Sequence, residues 1–167
     1  MGRIEARVGG TFGGYSVWAD VQDNSITGRI GGSLFGSDIN IEYSMEEGYI
    51  RGRIGGSIIG RSLEGRINSS QISARIGGAI DGYDIQLCLS GSKVTGRCGG
   101  NTIGFSVDVD FYNGNAIGRL GGNTIGHSVD GRVSNVEPII AATIFAITYY
   151  MYRVNNRSSN SAGSGNS

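Results

Sequence analysis

Residues 139–152 read IIAATIFAITYYMY, a stretch without a charged side chain. A helix built from it is apolar on every side, and such a helix must be buried in protein or in lipid. Asn135 is a candidate N-cap, Pro138 suits a first helical turn, and Arg153 complements the dipole at the C-terminal end. The sequence therefore predicts a helix over about residues 136–153, and the rest of the chain must supply the place where it is buried.

This helix supplies apolar side chains to the predicted interior. They are Ile139, Ile140, Ile144, Phe145, Ile147, Tyr149 and Met151. The chain becomes rich in Ser, Asn and Gly after the helix, so residues 155–167 are predicted to form a disordered tail. Residues 1–154 are predicted to form a single domain, with strands over about residues 2–134.

The chain before the helix repeats one phrase six times, as EARVGG, TGRIGG, RGRIGG, SARIGG, TGRCGG and IGRLGG. Successive copies are 22 residues apart, except for one spacing of 24 that includes a longer turn at residues 45–48. The pair Asn113-Gly114 within alternating residues is a strong signal of a two-residue β-turn. Each repeat is therefore predicted to be one β-hairpin, and the chain a meander of about twelve strands.

Pairing the predicted strands through their turns gives the sheet two different faces. One face is apolar with Gly and Ala in its middle row, which we expect to leave room for the helix. The other face carries the repeated arginines in one row, where cations alternate with acceptors or, once, with an aromatic ring. This row is Arg7, Trp18, Arg29, Asn40, Arg53, Glu64, Arg75, Gln86, Arg97, Asp108, Arg119 and Asp130. We interpret it as an arginine ladder that fixes strand register, with a ligand-binding stripe as the alternative.

A sheet of this width with one apolar face must fold that face away from water. Closure with the apolar side inward removes the sheet edges and encloses the helix, whose length of roughly 21 Å matches a wall roughly 20 Å tall. The predicted fold class is therefore all-β with one C-terminal helix. It is an antiparallel meander barrel of about twelve strands, made of 22-residue hairpin repeats and closed around a central apolar helix.

This order of elements, a twelve-stranded meander followed by a hydrophobic helix, resembles the Tubby C-terminal domain, the LURP-one-related proteins and the phospholipid scramblases. The resemblance covers about residues 2–152 and is one of architecture, without a motif that aligns residue by residue. It implies a membrane-associated or phosphoinositide-binding module, and it assigns no binding residues.

Catalytic, cofactor and metal sites are not predicted from the sequence. The chain has one histidine, His127, which we expect at the barrel rim, whereas a metal site needs several convergent ligands. Cys88 and Cys98 fall on opposite faces of one hairpin, so they are predicted to be free thiols. The chain carries 14 basic and 14 acidic residues, so no general electrostatic attraction to nucleic acid or to an anionic surface is expected.

The sequence therefore favours a non-enzymatic binding or scaffold barrel that is monomeric, with a membrane surface or lipid headgroup as the partner that the resemblance implies. The N-terminus lacks an apolar segment of signal-peptide length, which predicts a cytoplasmic location. Three alternatives stay open. They are a tail-anchored membrane protein with a separate β domain, a self-assembling structural repeat protein, and a pore whose apolar face contacts lipid.

Overall fold

A computed structural model gives the architecture of the chain and confirms the predicted fold class. It describes residues 1–10, 13–31, 36–56, 58–99, 103–122 and 126–163, with side chains as far as residue 156. Twelve antiparallel strands close into a barrel in sequence order, and one helix follows them. The elements are β1 Gly2–Gly9, β2 Gly14–Gln22, β3 Ser25–Gly31, β4 Gly36–Ser44, β5 Tyr49–Gly55, β6 Gly60–Ile67, β7 Gln71–Ile76, β8 Tyr83–Ser90, β9 Lys93–Gly99, β10 Gly104–Tyr112, β11 Asn115–Gly121, β12 Gly126–Ser134 and α1 Pro138–Gly163.

The interior of the barrel is filled by α1 and by the apolar face of every strand. Ile54 and Ile85 on the wall and Phe145 on the helix are completely buried. The seven helix side chains predicted to pack the interior are all at most 6% exposed. The hydroxyls of Thr143 and Thr148 donate to the carbonyls of Ile139 and Ile144, each at 2.7 Å, which satisfies both groups inside the core. The charged residues of the strands lie on the outer face instead, an arrangement opposite to the one that the lipid-facing alternative requires.

The bounds of α1 differ from the prediction at both ends. The Glu137 carbonyl accepts the first helical hydrogen bonds, from the amides of Ile140 and Ala141, so Glu137 and not Asn135 occupies the N-cap position. The helix also continues to Gly163, ten residues past the predicted end, and takes in residues 155–163 of the predicted tail. A formed helix gains one backbone bond for each residue it adds, and this segment contains no proline before the glycine at which α1 ends. Residues 164–167 lie outside the described part of the chain.

The glycines in the middle row of the apolar face were predicted to leave room for the helix, but the structure gives them another role. A Cβ atom added at Gly28 would lie 2.1 Å from the carbonyl oxygen of Trp18 on the neighbouring strand. At Gly118 it would lie 2.1 Å from the carbonyl oxygen of Asp108, again on the neighbouring strand. Close approach between adjacent strands, rather than clearance for the helix, therefore explains why these positions are glycine.

Strand register follows the prediction within each hairpin and departs from it between hairpins. Arg75 faces Glu64 as predicted across β6 and β7, but on its other side it faces Asp84, two residues before the predicted Gln86. The same offset of two residues recurs at all six connections between repeats, where the predicted pairs of the arginine row are therefore wrong. β12 then pairs with β1 in the predicted register, with Asp130 opposite Arg7. Closing a sheet into a barrel requires such a cumulative stagger, which is why the arginines climb around the wall instead of forming a level ring.

Candidate functional site

The six connections between repeats gather at one end of the barrel, which we call the loop end; the hairpin turns within repeats form the opposite turn end. α1 leaves the barrel at the loop end. Its Arg153 donates to the Gly104 carbonyl at 3.0 Å, and the Tyr150 hydroxyl donates to the Asp81 carbonyl at 3.3 Å. The loop end is therefore a surface of short loops arranged around an emerging helix.

Large apolar side chains point into solvent from these loops. Ile58 is 95% exposed, Ile59 86%, Ile80 100% and Ile103 57%. They lie on three successive connections, between β5 and β6, β7 and β8, and β9 and β10. A folded monomer rarely leaves neighbouring apolar side chains so exposed, and such patches mark surfaces that contact a partner or a membrane. The other three connections carry Phe12, Leu34, Phe35 and Ile125, which lie outside the described residues.

Sequence reasoning missed these isoleucines, although the signal was present. The phrase GG-x-x-apolar-G follows four of the six repeated arginines, and the variants GGTFGG and GGAIDG after Arg7 and Arg75 also place an apolar residue between glycines. Turn tips are normally exposed, so an apolar residue repeated there is unusual. The alternation rule assigns faces only to strand residues and therefore gave no face to these positions.

The repeated arginines hold the loops in place. Arg75 donates to the Asp84 carboxylate at 2.9 Å and to the carbonyls of Gly78 at 3.0 Å and Gly82 at 3.3 Å. Arg53 likewise donates to the Ser62 hydroxyl at 2.9 Å and to the Gly56 carbonyl at 3.1 Å. These partners replace the predicted hairpin acceptors because the side chains lean toward the loops, whose carbonyls lie outside the strand ladder.

The same pattern recurs around the barrel at a fixed spacing. Five of the repeated arginines donate to the side chain nine positions later, as in Arg7 to Ser16 at 3.3 Å, Arg29 to Asp38 at 2.5 Å and Arg97 to Ser106 at 3.2 Å. Arg119 donates to the carbonyl of Gly122 at 3.0 Å. The predicted aromatic member of the row, Trp18, lies instead under the guanidinium of Arg3, at 5.3 Å. These contacts agree with a structural role for the arginines.

The loops between β5 and β6 and between β7 and β8 are fixed by further contacts. Arg61 and Asp81 form an ion pair between the loop that bears Ile58 and Ile59 and the loop that bears Ile80. This pair holds the pKa of Asp81 below its usual range, through the hydrogen bond from Arg61 first of all. The Gly56 amide donates to the Ile59 carbonyl at 2.8 Å and closes the shorter loop. Ile58, Ile59 and Ile80 therefore stand on loops that these contacts fix, so little conformational entropy is lost when they contact a partner.

An aromatic collar seats the helix at the loop end. The guanidinium of Arg153 lies 5.7 Å from the Phe105 ring, 5.8 Å from the Tyr149 ring and 6.0 Å from the Tyr83 ring. His127, half-buried at the start of β12, lies 4.8 Å from Tyr152 and 5.2 Å from Tyr149 by ring centroids. Burial lowers the pKa of His127, and the charges of Arg119 and Arg7 lower it further. His127 therefore lies at the barrel rim, as predicted.

The two cysteines lie in one hairpin, Cys88 toward the turn end and Cys98 inside the barrel next to the loop end. Cys88 is exposed on the outer wall, whereas Cys98 is fully buried and burial raises the pKa of its thiol to about 12. Both are free thiols on opposite faces of the hairpin. A shallow groove of about 600 Å³ runs along the outer wall beside Cys88, between Arg66, Gln86 and Thr95. Within the described ranges, no three His, Cys, Asp or Glu residues come together to hold a metal ion.

Comparison with known proteins leaves the function open. No protein-family model matches the chain, and no curated protein or solved structure matches it either. The resemblance to Tubby-like, LURP-one-related and scramblase barrels therefore stays a prediction, as does the cytoplasmic location. Among the described helices, none is both long and apolar enough to span a bilayer.

Proposed function

We propose that the protein is a non-enzymatic binding barrel that docks on membrane surfaces through its loop end. The observation that carries this proposal is the set of exposed isoleucines, Ile58, Ile59, Ile80 and Ile103. The first three stand on loops whose carbonyls accept hydrogen bonds from Arg53 and Arg75. The interior is occupied by α1, which favours an outer surface over an internal cavity as the place where binding occurs. The architectural resemblance points to the same class of partner.

The energetics suit reversible docking. Full burial of one isoleucine side chain contributes about 1.5–3 kcal/mol, so partial insertion of four gives several kcal/mol in total. Binding of this size is typical of proteins that lie on a membrane interface and dissociate from it. Because hydrogen bonds already fix the loops of Ile58, Ile59 and Ile80, most of this free energy remains available for association.

The emerging helix constrains the geometry of docking. Beyond the last described side chain, Asn156, α1 continues to Gly163, which adds roughly 10 Å of helix at 1.5 Å per residue. A barrel that stood upright would meet the membrane with this polar segment before its loops. We therefore propose a tilted docking, in which the side of the rim that bears Ile58 and Ile80 faces the membrane and the end of α1 lies beside it.

Vesicle sedimentation tests the proposal. Full-length protein is incubated with vesicles of phosphatidylcholine and phosphatidylserine, and the bound fraction is compared with that of a variant carrying Ile58→Ser, Ile59→Ser and Ile80→Ser. We expect the variant to bind at least about tenfold more weakly, because it loses most of the described apolar contact. The matched control carries Tyr112→Ser and Ile117→Ser, which remove exposed apolar side chains away from the loops and should leave binding unchanged.

Two outcomes contradict the proposal. Equal binding by the wild type and the loop variant means that the isoleucines do not mediate docking. Failure of the wild type to bind any vesicle, together with dimerisation in analytical ultracentrifugation that the loop variant abolishes, assigns the loop end to a second copy of the chain. Circular dichroism of each variant checks that the barrel remains folded.

A further inference from the structure

The charges of this neutral chain are segregated along the barrel axis. The half of the barrel from just above mid-strand to the loop end contains eight described arginines but three acidic residues. The arginines are Arg7, Arg29, Arg53, Arg61, Arg75, Arg97, Arg119 and Arg153, and the acidic residues are Asp38, Asp81 and Asp84. The other eleven of the 14 acidic residues lie at mid-strand or toward the turn end, with five basic residues. Three of these acidic residues, Glu64, Asp108 and Asp130, directly face Arg75, Arg119 and Arg7 across neighbouring strands. The zero net charge of the chain therefore hides an excess of arginine toward the loop end and an excess of carboxylates toward the turn end.

The segregation originates in the residue nine positions after each repeated arginine. In two repeats this residue is an aspartate, and Asp38 and Asp84 form ion pairs with Arg29 and Arg75. In the other four it is Ser16, Ser62, Ser106 or Ser128, which fills the same register position without a charge. A hydroxyl accepts the arginine hydrogen bond as a carboxylate does, but it leaves the local charge positive. The serine repeats therefore keep the contact that orders the loop and retain its positive charge.

The positive charge surrounds the proposed docking loops. Ile58 and Ile59 lie between Arg53 and Arg61 in the sequence, and both strands that carry these arginines end at that loop. An anionic phosphate group at the bilayer surface lies at the depth where side chains beside inserted apolar residues are found. Arginine is suited to this contact because its planar fork of donors matches phosphate oxygens.

We infer that the loop end selects bilayers whose lipids carry a net negative, phosphate-bearing headgroup, and that the positive and negative ends of the barrel orient it on approach. This inference rests on the proposed membrane docking and names the lipid class that the surface recognises. Basic residues near an anionic bilayer each strengthen binding, and the attraction falls off within about 8 Å, the Debye length at physiological salt. Binding is therefore expected to weaken as salt rises.

A pair of charge variants with identical composition tests the inference. The first carries Ser62→Asp and Ser106→Asp, which give two serine repeats the acidic partner found at Asp38 and Asp84. The control carries Ser90→Asp and Ser134→Asp, which place the same two charges near the turn end, opposite Lys93 and Arg3. The reverse variant, Asp38→Ser with Asp84→Ser, makes the loop end more positive. All are measured by sedimentation with vesicles of phosphatidylcholine alone and of phosphatidylcholine mixed with phosphatidylserine.

The inference predicts that wild type prefers the mixed vesicles, with about tenfold tighter binding or more for several participating charges. The first variant should lose at least about fivefold of its affinity for mixed vesicles, the control should change by less than twofold, and the reverse variant should bind more tightly. Equal binding of wild type to neutral and anionic vesicles overturns the lipid selectivity but leaves the docking proposal standing. Equal losses in the first variant and the control overturn the role of the loop end. Failure to bind either kind of vesicle overturns both proposals.

Discussion

The Tyr150 hydroxyl, at the exit of the internal helix, donates a hydrogen bond to the carbonyl oxygen of Asp81 at 3.3 Å, across 69 residues of sequence. The ring of Tyr150 is fully buried and contacts the ring of Tyr83 at 5.1 Å. One side chain thus joins the core helix to the loop that presents Ile80.

Tyr150→Phe is expected to keep the buried ring and remove this hydrogen bond. We expect a loss of about 1 kcal/mol in the free energy of unfolding, and a thermal midpoint lower by about 2–4 °C. Thermal unfolding followed by circular dichroism measures the change. Tyr112→Phe, at a position 75% exposed, is the control and should leave the midpoint unaltered. Identical midpoints for wild type and Tyr150→Phe would show that the hydrogen bond adds nothing to stability.

Arg75→Lys is expected to loosen the loop of residues 77–82. A lysine ammonium cannot contact Asp84 and the Gly78 and Gly82 carbonyls together as the guanidinium does. We expect hydrogen exchange at the Gly82 amide, which bonds to the Gly78 carbonyl, to become about tenfold faster, equivalent to about 1.4 kcal/mol. Arg51→Lys, an exposed pair with Glu42, is the control. Unchanged exchange at Gly82 in Arg75→Lys would contradict the role assigned to the arginine.

Gly118→Ala is expected to destabilise the barrel because the new methyl group meets backbone. Its Cβ would lie 2.1 Å from the Asp108 carbonyl oxygen and 2.6 Å from the Val109 Cα, so β10 and β11 must separate. Overpacking of this kind costs about 1–3 kcal/mol, measurable by urea unfolding. Gly10→Ala is the control, since no atom of the residues that the structure describes lies within 4 Å of its added Cβ. A fully stable Gly118→Ala protein would mean that the two strands separate without cost.

Protonation of His127 is expected to lower the stability of the folded protein as the pH decreases. Its pKa is lower in the folded protein, chiefly through burial, than the ordinary value near 6.5 of the unfolded chain. The unfolded chain therefore binds the proton first as the pH falls below about 6.5, and the free energy of unfolding decreases until the folded histidine is also protonated. Urea unfolding at neutral and mildly acidic pH measures the loss, and His127→Phe should reduce it. An equal loss in that variant would assign the pH dependence to other groups.

Much of the architecture follows from the sequence because its signals are local. Alternation along strands such as β10 assigns the faces, Asn113-Gly114 fixes a hairpin turn, and the apolar run at residues 139–152 requires enclosure. Register between repeats does not follow from these signals. The offset that sets Arg75 opposite Asp84 is a property of the closed barrel as a whole, and pairing neighbouring strands one by one cannot reveal it.

The candidate site was harder to predict than the fold. The sequence locates the repeated arginines, but it gives Arg53 a hairpin partner, Asn40, where the structure also gives it Ser62 and a loop carbonyl. Ile58 and Ile80 lie in turns outside the strands, where alternation assigns no face and so does not predict their exposure. The composition sums to zero charge and therefore does not reveal the charge segregation. The uneven distribution becomes visible when strand directions show which end of the barrel each charged residue is nearer to.

The position of α1 after the last strand constrains how the protein is made. Every strand of the wall leaves the ribosome before the helix, yet the apolar lining of those strands has no complete packing partner until residues 139–151 emerge. The pairing of β12 with β1, which joins residues as distant as Val8 and Val129, must also wait for nearly the whole chain. The barrel therefore closes only after α1 has emerged, and a nascent chain halted before α1 exposes its apolar lining to chaperones and to other chains.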